Sequence, residues 1–122
     1  MSSVEPLDPS FPLSQQMGID AAPIVLVNLC TVAPADEAAF LVSWAADAAF
    51  MKRQPGFIST QLHRALGDSP TYLNYAIFES AQAWRAAFKQ PEFREIAKAH
   101  PASAVFRPHL FQKVAVENLC TA

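Results

Sequence analysis

Two asparagines sit where an apolar strand rarely tolerates them. Asn74 lies in the middle of Thr71-Tyr72-Leu73-Asn74-Tyr75-Ala76-Ile77-Phe78-Glu79-Ser80, and Asn28 interrupts the apolar run from Ile24 to Val32. A buried side-chain amide costs free energy unless its hydrogen bonds are met or a ligand uses them. Its NH2 group donates twice and its oxygen accepts. Directed at a phenolate or enolate oxygen, it would stabilise the charge that grows as an electron-rich ring meets oxygen. The competing reading is structural, an amide that ties neighbouring strands together.

Other side chains could complete such a site. Trp84, Phe78, Phe88, Phe93 and Trp44 could wall a flat pocket for a polycyclic ring, although aromatic stripes are more often plain core. Tyr72 shares a strand face with Asn74; its hydroxyl either meets a substrate oxygen or stands in water at the sheet end. Arg94 either meets an acidic substrate group or pairs on the surface. His63, His100 and His109 are the candidate bases for a phenolic proton, and the more common role of each is structural. No two histidines stand at helical metal-ligand spacing and no carboxylate–histidine cluster is visible in the sequence, so no metal site is expected. With only three glycines and no glycine-rich phosphate loop, a tightly held dinucleotide is not expected either. That leaves a substrate that reacts with O2 by itself, or reduced flavin (FADH2 or FMNH2) as a loosely bound cosubstrate.

The elements that must position these residues follow from periodicity. Ile24–Val32 has strand length and is rich in Val, bounded by Pro23 and Pro34. From Asp36 to about Arg53 the residues Phe40, Trp44, Ala48 and Met51 make a helical stripe, with acids at the start and bases at the end. Pro55-Gly56 ends that helix. Phe57–Ala65 alternates as a strand, with Phe57, Ser59, Gln61 and His63 on one face and Ile58, Thr60, Leu62 and Arg64 on the other. A turn through Gly67-Asp68-Ser69-Pro70 leads into the strand of Asn74. Ser80 can cap a second helix whose inner stripe is Ala83, Trp84, Ala87 and Phe88, and Pro91 can open a further helical piece. A loop with Pro108 precedes a last strand over Leu110–Val116.

Strand, helix, strand, strand, helix, strand is the split βαβ plan of an α+β ferredoxin-like fold, a four-stranded antiparallel sheet with helices on one face. The other face would offer Val25, Val27, Leu29, Leu73, Tyr75 and Ile77, with nothing left in the chain to cover it. Such a patch marks an interface, so a homodimer through sheet faces is expected. The domain is assigned to residues 23–117, between an irregular N-terminal arm, 1–22, and a tail, 118–122. The arm, with Phe11, Leu13, Met17 and Ile19, lies on the domain or on a partner subunit, or is a mobile tail.

Length and composition are consistent with this plan. The 122 residues are 52% hydrophobic and 16% charged, enough to bury one core. A net charge of −2 gives no footprint for nucleic acid. No apolar run approaches the ~20 residues that span a bilayer, and the start does not read as a secretory signal. Two cysteines, Cys30 and Cys120, make no disulfide framework. Reduced thiols and a cytoplasmic location are expected.

The element order, with Pro55-Gly56-Phe57, the strand Tyr72–Ser80 and the helix of Trp84, Phe88 and Phe93, resembles the antibiotic biosynthesis monooxygenase family over about Ile24–Val116. These are small dimeric α+β barrels. The resemblance implies a monooxygenase that uses O2 on a polycyclic aromatic phenol or quinone of polyketide type, forming a quinone or opening a ring. It implies a pocket between helices and sheet in which Asn74 and an aromatic at Trp84 hold the substrate, and it places Arg94 where some members carry arginine. Phe78 and Leu62 depart from the pattern, standing where the best-known members have tryptophan and tyrosine. A haem-degrading branch uses an asparagine at the position of Asn28, but Ala87 and Ala97 replace its tryptophan and histidine, and His100 falls one turn late. The expected site is therefore Asn74, Trp84, Tyr72 and Arg94 for chemistry, with Asn28, Leu62, Phe78, Phe88, Phe93 and Trp44 around the substrate. The alternative is a dimeric domain that binds a small apolar ligand without reaction.

Overall fold

The computed structural model describes all residues from Met1 to Ala122. In chain order it contains β1 (Ser3–Val4), α1 (Leu13–Gln16), β2 (Ile24–Thr31), α2 (Glu37–Lys52), β3 (Phe57–Arg64), β4 (Thr71–Phe78), α3 (Ala81–Phe88), α4 (Pro91–Ala97) and β5 (Val105–Phe111). A 3₁₀ turn over Pro34–Asp36 leads into α2. The sheet order is β1-β5-β2-β4-β3. β2 pairs antiparallel with both β4 and β5, β3 pairs antiparallel with β4, and β1 runs parallel to β5. The ferredoxin-like plan is present, widened by one short strand to a mixed five-stranded sheet.

Local chemistry explains the helix boundaries. Ser80 Oγ accepts the Ala83 backbone N–H at 3.1 Å and caps α3. Pro91 occupies the first turn of α4, where its missing N–H is not needed. Gly56, between α2 and β3, has φ +87°, and a Cβ there would lie 2.5 Å from the Cβ of Ala83. Only glycine satisfies both the left-handed conformation and that contact with α3.

Two apolar clusters lie between the helices and the sheet. One joins Ile24, Leu26, Ala76 and Phe78 of the strands to Ala81 and Trp84 of α3. The other joins Cys30, Val32, Tyr72 and Ala104 to Phe40 of α2, with Leu62 packed against it. Burial pushes the Cys30 thiol up to about 12, so this cysteine is an inert packing group.

Three expectations are corrected. First, segment 1–22 is not wholly irregular. β1 extends the sheet, and Gln16 of α1 stands in for a strand: its Oε1 accepts the Leu110 N–H at 2.7 Å, while its Nε2 bonds the Phe11 carbonyl oxygen and His109 Nδ1, each at 2.9 Å. The arm thus lies on its own domain and covers the free edge of β5. Second, the last strand is Val105–Phe111, not 110–116, and Pro108 lies inside it. The carbonyl of Phe106 accepts from Glu5, and the N–H of Leu110 donates to Gln16, both away from β2. Residue 108 has the same parity, so its missing N–H also faces away from β2, beyond the end of β1 and outside the ladder. Third, β3 is bulged: Phe57 pairs with Phe78 but Ser59 pairs with Ile77, leaving Ile58 as the extra residue. The bulge turns Phe57 onto the face of Thr60 and Leu62, towards the helices.

On the opposite face of the sheet, Val27, Leu29, Leu73 and Ile77 are half-buried, while Tyr75 and Phe111 are 39% and 42% exposed. No helix of the chain is long and apolar enough to cross a membrane.

Candidate active site

Asn28 and Asn74 are direct partners across the β2–β4 ladder. Both line a cavity of about 130 Å³ between the sheet and the helices. Leu26, Ala76, Phe78 and Pro108 extend its floor along the strands. The walls are aromatic: Trp84 stacks on Phe88 at 4.9 Å between centroids, and Phe88 meets Phe93 at 5.5 Å. From α2 come Trp44, Asp47, Ala48 and Met51, and the bulge brings in Phe57. Ser2 and Val4 of the N-terminal arm also reach the lining.

The polar atoms in this cavity are unequally satisfied. Thr60, on β3, donates its hydroxyl to Asn74 Oδ1 at 2.5 Å. That bond fixes the amide and leaves its NH2 group to donate elsewhere. Asn28 Oδ1 and Trp84 Nε1 are buried with no hydrogen-bond partner. Buried groups of this kind are rare in folded proteins because each costs roughly 1–3 kcal/mol of uncompensated desolvation. One acceptor and two kinds of donor are therefore available to a ligand with both a hydroxyl and a carbonyl or phenolate oxygen.

The remaining residues of the expected site do not join this cavity. Tyr72 is on the same strand face as Asn74 but at the far end, in the second cluster, with its ring 4.8 Å from that of Phe40. Its hydroxyl donates to Glu37 Oε1 at 2.6 Å. Burial and that bond to Glu37 raise its pKa, so it stays a neutral phenol. Arg64 completes this group, its Nε donating to Glu37 Oε1 at 2.8 Å. Leu62, though opposite Asn74 in the ladder, packs against the second cluster and is not part of the cavity lining. Arg94 is exposed on α4 and is not part of the lining.

Sequence reasoning missed Thr60, Phe57, Asp47 and the place of His100. Thr60 was within reach of inference, because the hairpin register puts Leu62 opposite Asn74 and so Thr60 on the diagonal. His100 is buried at the end of α4's trailing turn, with Nδ1 2.7 Å from Ser43 Oγ and Nε2 3.4 Å from Asp47 Oδ2. This is a carboxylate–histidine pair assembled across 53 residues, with no local sequence signal. His63 lies on the outer sheet face, 3.3 Å from the Leu73 carbonyl oxygen, and His109 is held by Gln16. No group of three or more His, Cys, Asp or Glu side chains is placed to hold a metal ion.

The chain is similar to several known proteins. Deoxynogalonate monooxygenase of Streptomyces nogalater is 36% identical over 96 residues, which is 77% of this chain and 79% of the relative. The crystal structure of SnoaB, described as a cofactor-independent oxygenase from the same organism, superposes with a TM-score of 0.70 at 34% identity, over 80% of this chain and 99% of that one. A variant of that oxygenase with an asparagine replaced by alanine has also been solved. A conserved protein from Methanosarcina mazei shares the fold at 12% identity, with a TM-score of 0.64 over 76% of this chain and 94% of that one. Residues 23–99 match the family described as antibiotic biosynthesis monooxygenase. With that match and those relatives, the chain belongs to the antibiotic biosynthesis monooxygenase family.

Proposed function

We propose that this protein oxidises a polycyclic aromatic phenol of polyketide type with O2, without a metal or a tightly bound cofactor. The observation that carries the reading is the facing pair Asn28 and Asn74 inside an aromatic-walled cavity, one with an unmatched acceptor and the other with a free NH2 group. A flat ring system fits between the Trp84–Phe88 stack and the strand floor. Its phenolic hydroxyl donates to Asn28 Oδ1, and a neighbouring oxyanion accepts from Asn74. Held in this low-dielectric site, the phenolate becomes electron-rich enough to react with O2, and the Asn74 amide stabilises the oxygen on which charge remains. The stated cofactor independence of SnoaB favours direct reaction with O2 over the use of reduced flavin. Reaction at the ring carbon gives either a quinone or an opened ring, and both product classes fit the same binding mode.

The tyrosine and arginine expected to assist have no part in this reading, since neither Tyr72 nor Arg94 lines the cavity. The outer sheet face that carries Val27 and Tyr75 supports a homodimer, with one complete cavity in each subunit.

The test is O2 uptake with anthrone-type phenols, with and without reduced flavin. Flavin-independent uptake is expected, falling about 100-fold in kcat for Asn74→Ala, the usual scale for loss of an oxyanion donor. Tight binding of the aromatic with no O2 uptake would select a ligand-binding domain instead.

A further inference from the structure

We propose that Asp47 is a specificity-determining residue. It accepts a hydrogen bond from a further hydroxyl of the substrate, on the far side of the ring system from the oxygens held by Asn28 and Asn74. This rests on the functional reading above and narrows its substrate class to polycyclic phenols with a hydrogen-bond donor on that far side.

Asp47 stands on the inner stripe of α2, beside Trp44, Ala48 and Met51 in the cavity lining. An ionised side chain among such residues is costly unless something compensates it. His100 compensates one of its oxygens, with Nε2 3.4 Å from Asp47 Oδ2. The other ring nitrogen, Nδ1, is 2.7 Å from Ser43 Oγ. The imidazole, 3% exposed, is therefore engaged on both sides and serves as an anchor. Asp47 Oδ1 has no hydrogen-bond partner in the protein, and a carboxylate can accept through both oxygens. The Asp47 side chain is 22% exposed, so a ligand in the cavity it lines can reach it.

The position of this acceptor follows from β5. Pro108 stands opposite Asn28, and Phe106, two residues along the strand, packs its ring 4.8 Å from that of His100. Two residues of strand span roughly 7 Å. The histidine that holds Asp47 is offset from the asparagine pair along the sheet by about that distance. A fused ring system spans such an offset; two neighbouring oxygens on one ring do not. A substrate with its reacting oxygens at the asparagines thus meets Asp47 with a group on its far side.

The two poles of the cavity select different oxygens. Asn74, its Oδ1 taken by Thr60, presents N–H groups and suits an oxyanion. Asp47 presents an anionic acceptor, which suits a neutral hydroxyl and repels an oxyanion. A hydrogen bond to a charged acceptor is roughly twice as strong as one between neutral groups. Bound the other way round, the same molecule would set its oxyanion against a carboxylate. Asp47 therefore also fixes which end of the substrate lies at Asn74. A methyl ether in place of the far hydroxyl has no hydrogen to donate and would leave the carboxylate desolvated without a partner.

The test compares binding of 1,8-dihydroxyanthraquinone, an unreactive ligand, with that of its 2- and 3-hydroxy derivatives and their 2- and 3-methyl ethers. Titrations are made at pH ~6, where an ordinary carboxylate is ionised and an ordinary phenol is not. The parent should bind at least one hydroxy derivative about ten-fold or more tightly than the matching ether, the scale of one hydrogen bond to a charged group. In Asp47→Ala that ratio should fall to near one. A merely structural role for Asp47 would weaken all the ligands alike and leave the ratio intact. Asp47→Asn, which keeps an acceptor without the charge, should retain part of the preference. Should the alanine variant fold poorly, the comparison of hydroxyl with ether in the parent still decides. Equal binding of hydroxy compounds and ethers by the parent, or a ratio that persists in Asp47→Ala, would overturn the role of Asp47 and leave the oxygenase reading standing. Failure of 1,8-dihydroxyanthraquinone and all its derivatives to bind the parent would overturn both.

Discussion

Thr60 donates its hydroxyl to Asn74 Oδ1 at 2.5 Å from the neighbouring strand, and this single bond decides which end of the amide a substrate meets. A carboxamide presents an acceptor and a donor with nearly the same shape. With its oxygen engaged by β3, Asn74 presents N–H groups to the cavity, as an oxyanion requires. Thr60→Val keeps the volume and the β-branch but removes that donor. The amide is then free to turn its oxygen inwards. We expect kcat to fall roughly ten-fold, about 1.4 kcal/mol of transition-state stabilisation, while KM changes little because the aromatic walls are intact. Steady-state O2 uptake checks this, and an unchanged kcat would show that Asn74 is oriented by some other contact.

Gly56 should be among the least replaceable residues of the fold. Its φ of +87° disfavours any side chain, and a Cβ there would come within 2.5 Å of Ala83 Cβ in α3. Gly56→Ala therefore combines left-handed strain of about 1–2 kcal/mol with overpacking of about 1–3 kcal/mol. Thermal unfolding should show Tm lowered by about 10 °C. Because α3 carries Trp84, any fold that survives should also bind aromatic ligands less tightly. Gly67 offers a control: its φ is +68° but no atom lies within 4 Å of an added Cβ. Gly67→Ala should thus carry the strain alone.

The sequence pattern revealed most of the fold because its signals are periodic. Alternation in Ile24–Val32 and Thr71–Phe78, and the stripe Phe40, Trp44, Ala48 and Met51, each mark one covered face. The site was legible only in part, because sharing a face does not mean sharing a place along it. Tyr72 and Asn74 are two residues apart, yet one packs on Phe40 and the other faces the cavity. The bulge at Ile58 inverted the reading of Phe57, since strict two-residue alternation has no term for an inserted residue. Pro108 read as a loop because its exemption depends on where the neighbouring strand β1 ends. The Asp47–His100 pair was invisible for a different reason: it arises from the packing of α4's end on α2, and neither residue has a neighbour in sequence that announces it.

Acid should weaken the end of the sheet that holds Tyr72. The hydrogen bond from Arg64, then that from Tyr72, holds the Glu37 carboxyl below its usual value of 4.5. A carboxylate with a depressed folded pKa favours the folded state above its unfolded pKa, and that contribution is lost as the pH falls through the folded value. The parent should therefore be more stable than Glu37→Gln at neutral pH, and the two should converge as the pH falls below about 4.5. Denaturant unfolding measured at a series of pH values reads this directly. A constant difference between the two proteins down to the acid limit would mean that the Glu37–Arg64 pair does not couple ionisation to folding.

Val27 occupies the centre of the outer sheet face, opposite Tyr75 on β4 and His109 on β5. Around it Leu29, Leu73 and Ile77 remain half-buried in the single chain, and Tyr75 is 39% exposed. Water against this surface is costly, since each Å² of apolar area removed from it stabilises by about 25 cal/mol. A second copy can bring the same residues against themselves about a two-fold axis, the usual solution for a self-complementary patch. Sedimentation equilibrium should accordingly give a mass of two chains, not the 13.3 kDa of one. Val27→Asp would place two like charges near that axis without disturbing the cavity, because Val27 points away from Asn28 on alternate pleats of the same strand. We expect this variant to dissociate at micromolar concentration and to keep the cavity's affinity for an aromatic phenol within a few-fold. If dissociation instead abolishes ligand binding, the sheet must be held in its cavity-forming shape by the partner. A parent that sediments as a single chain at high concentration would rule out the sheet-face dimer.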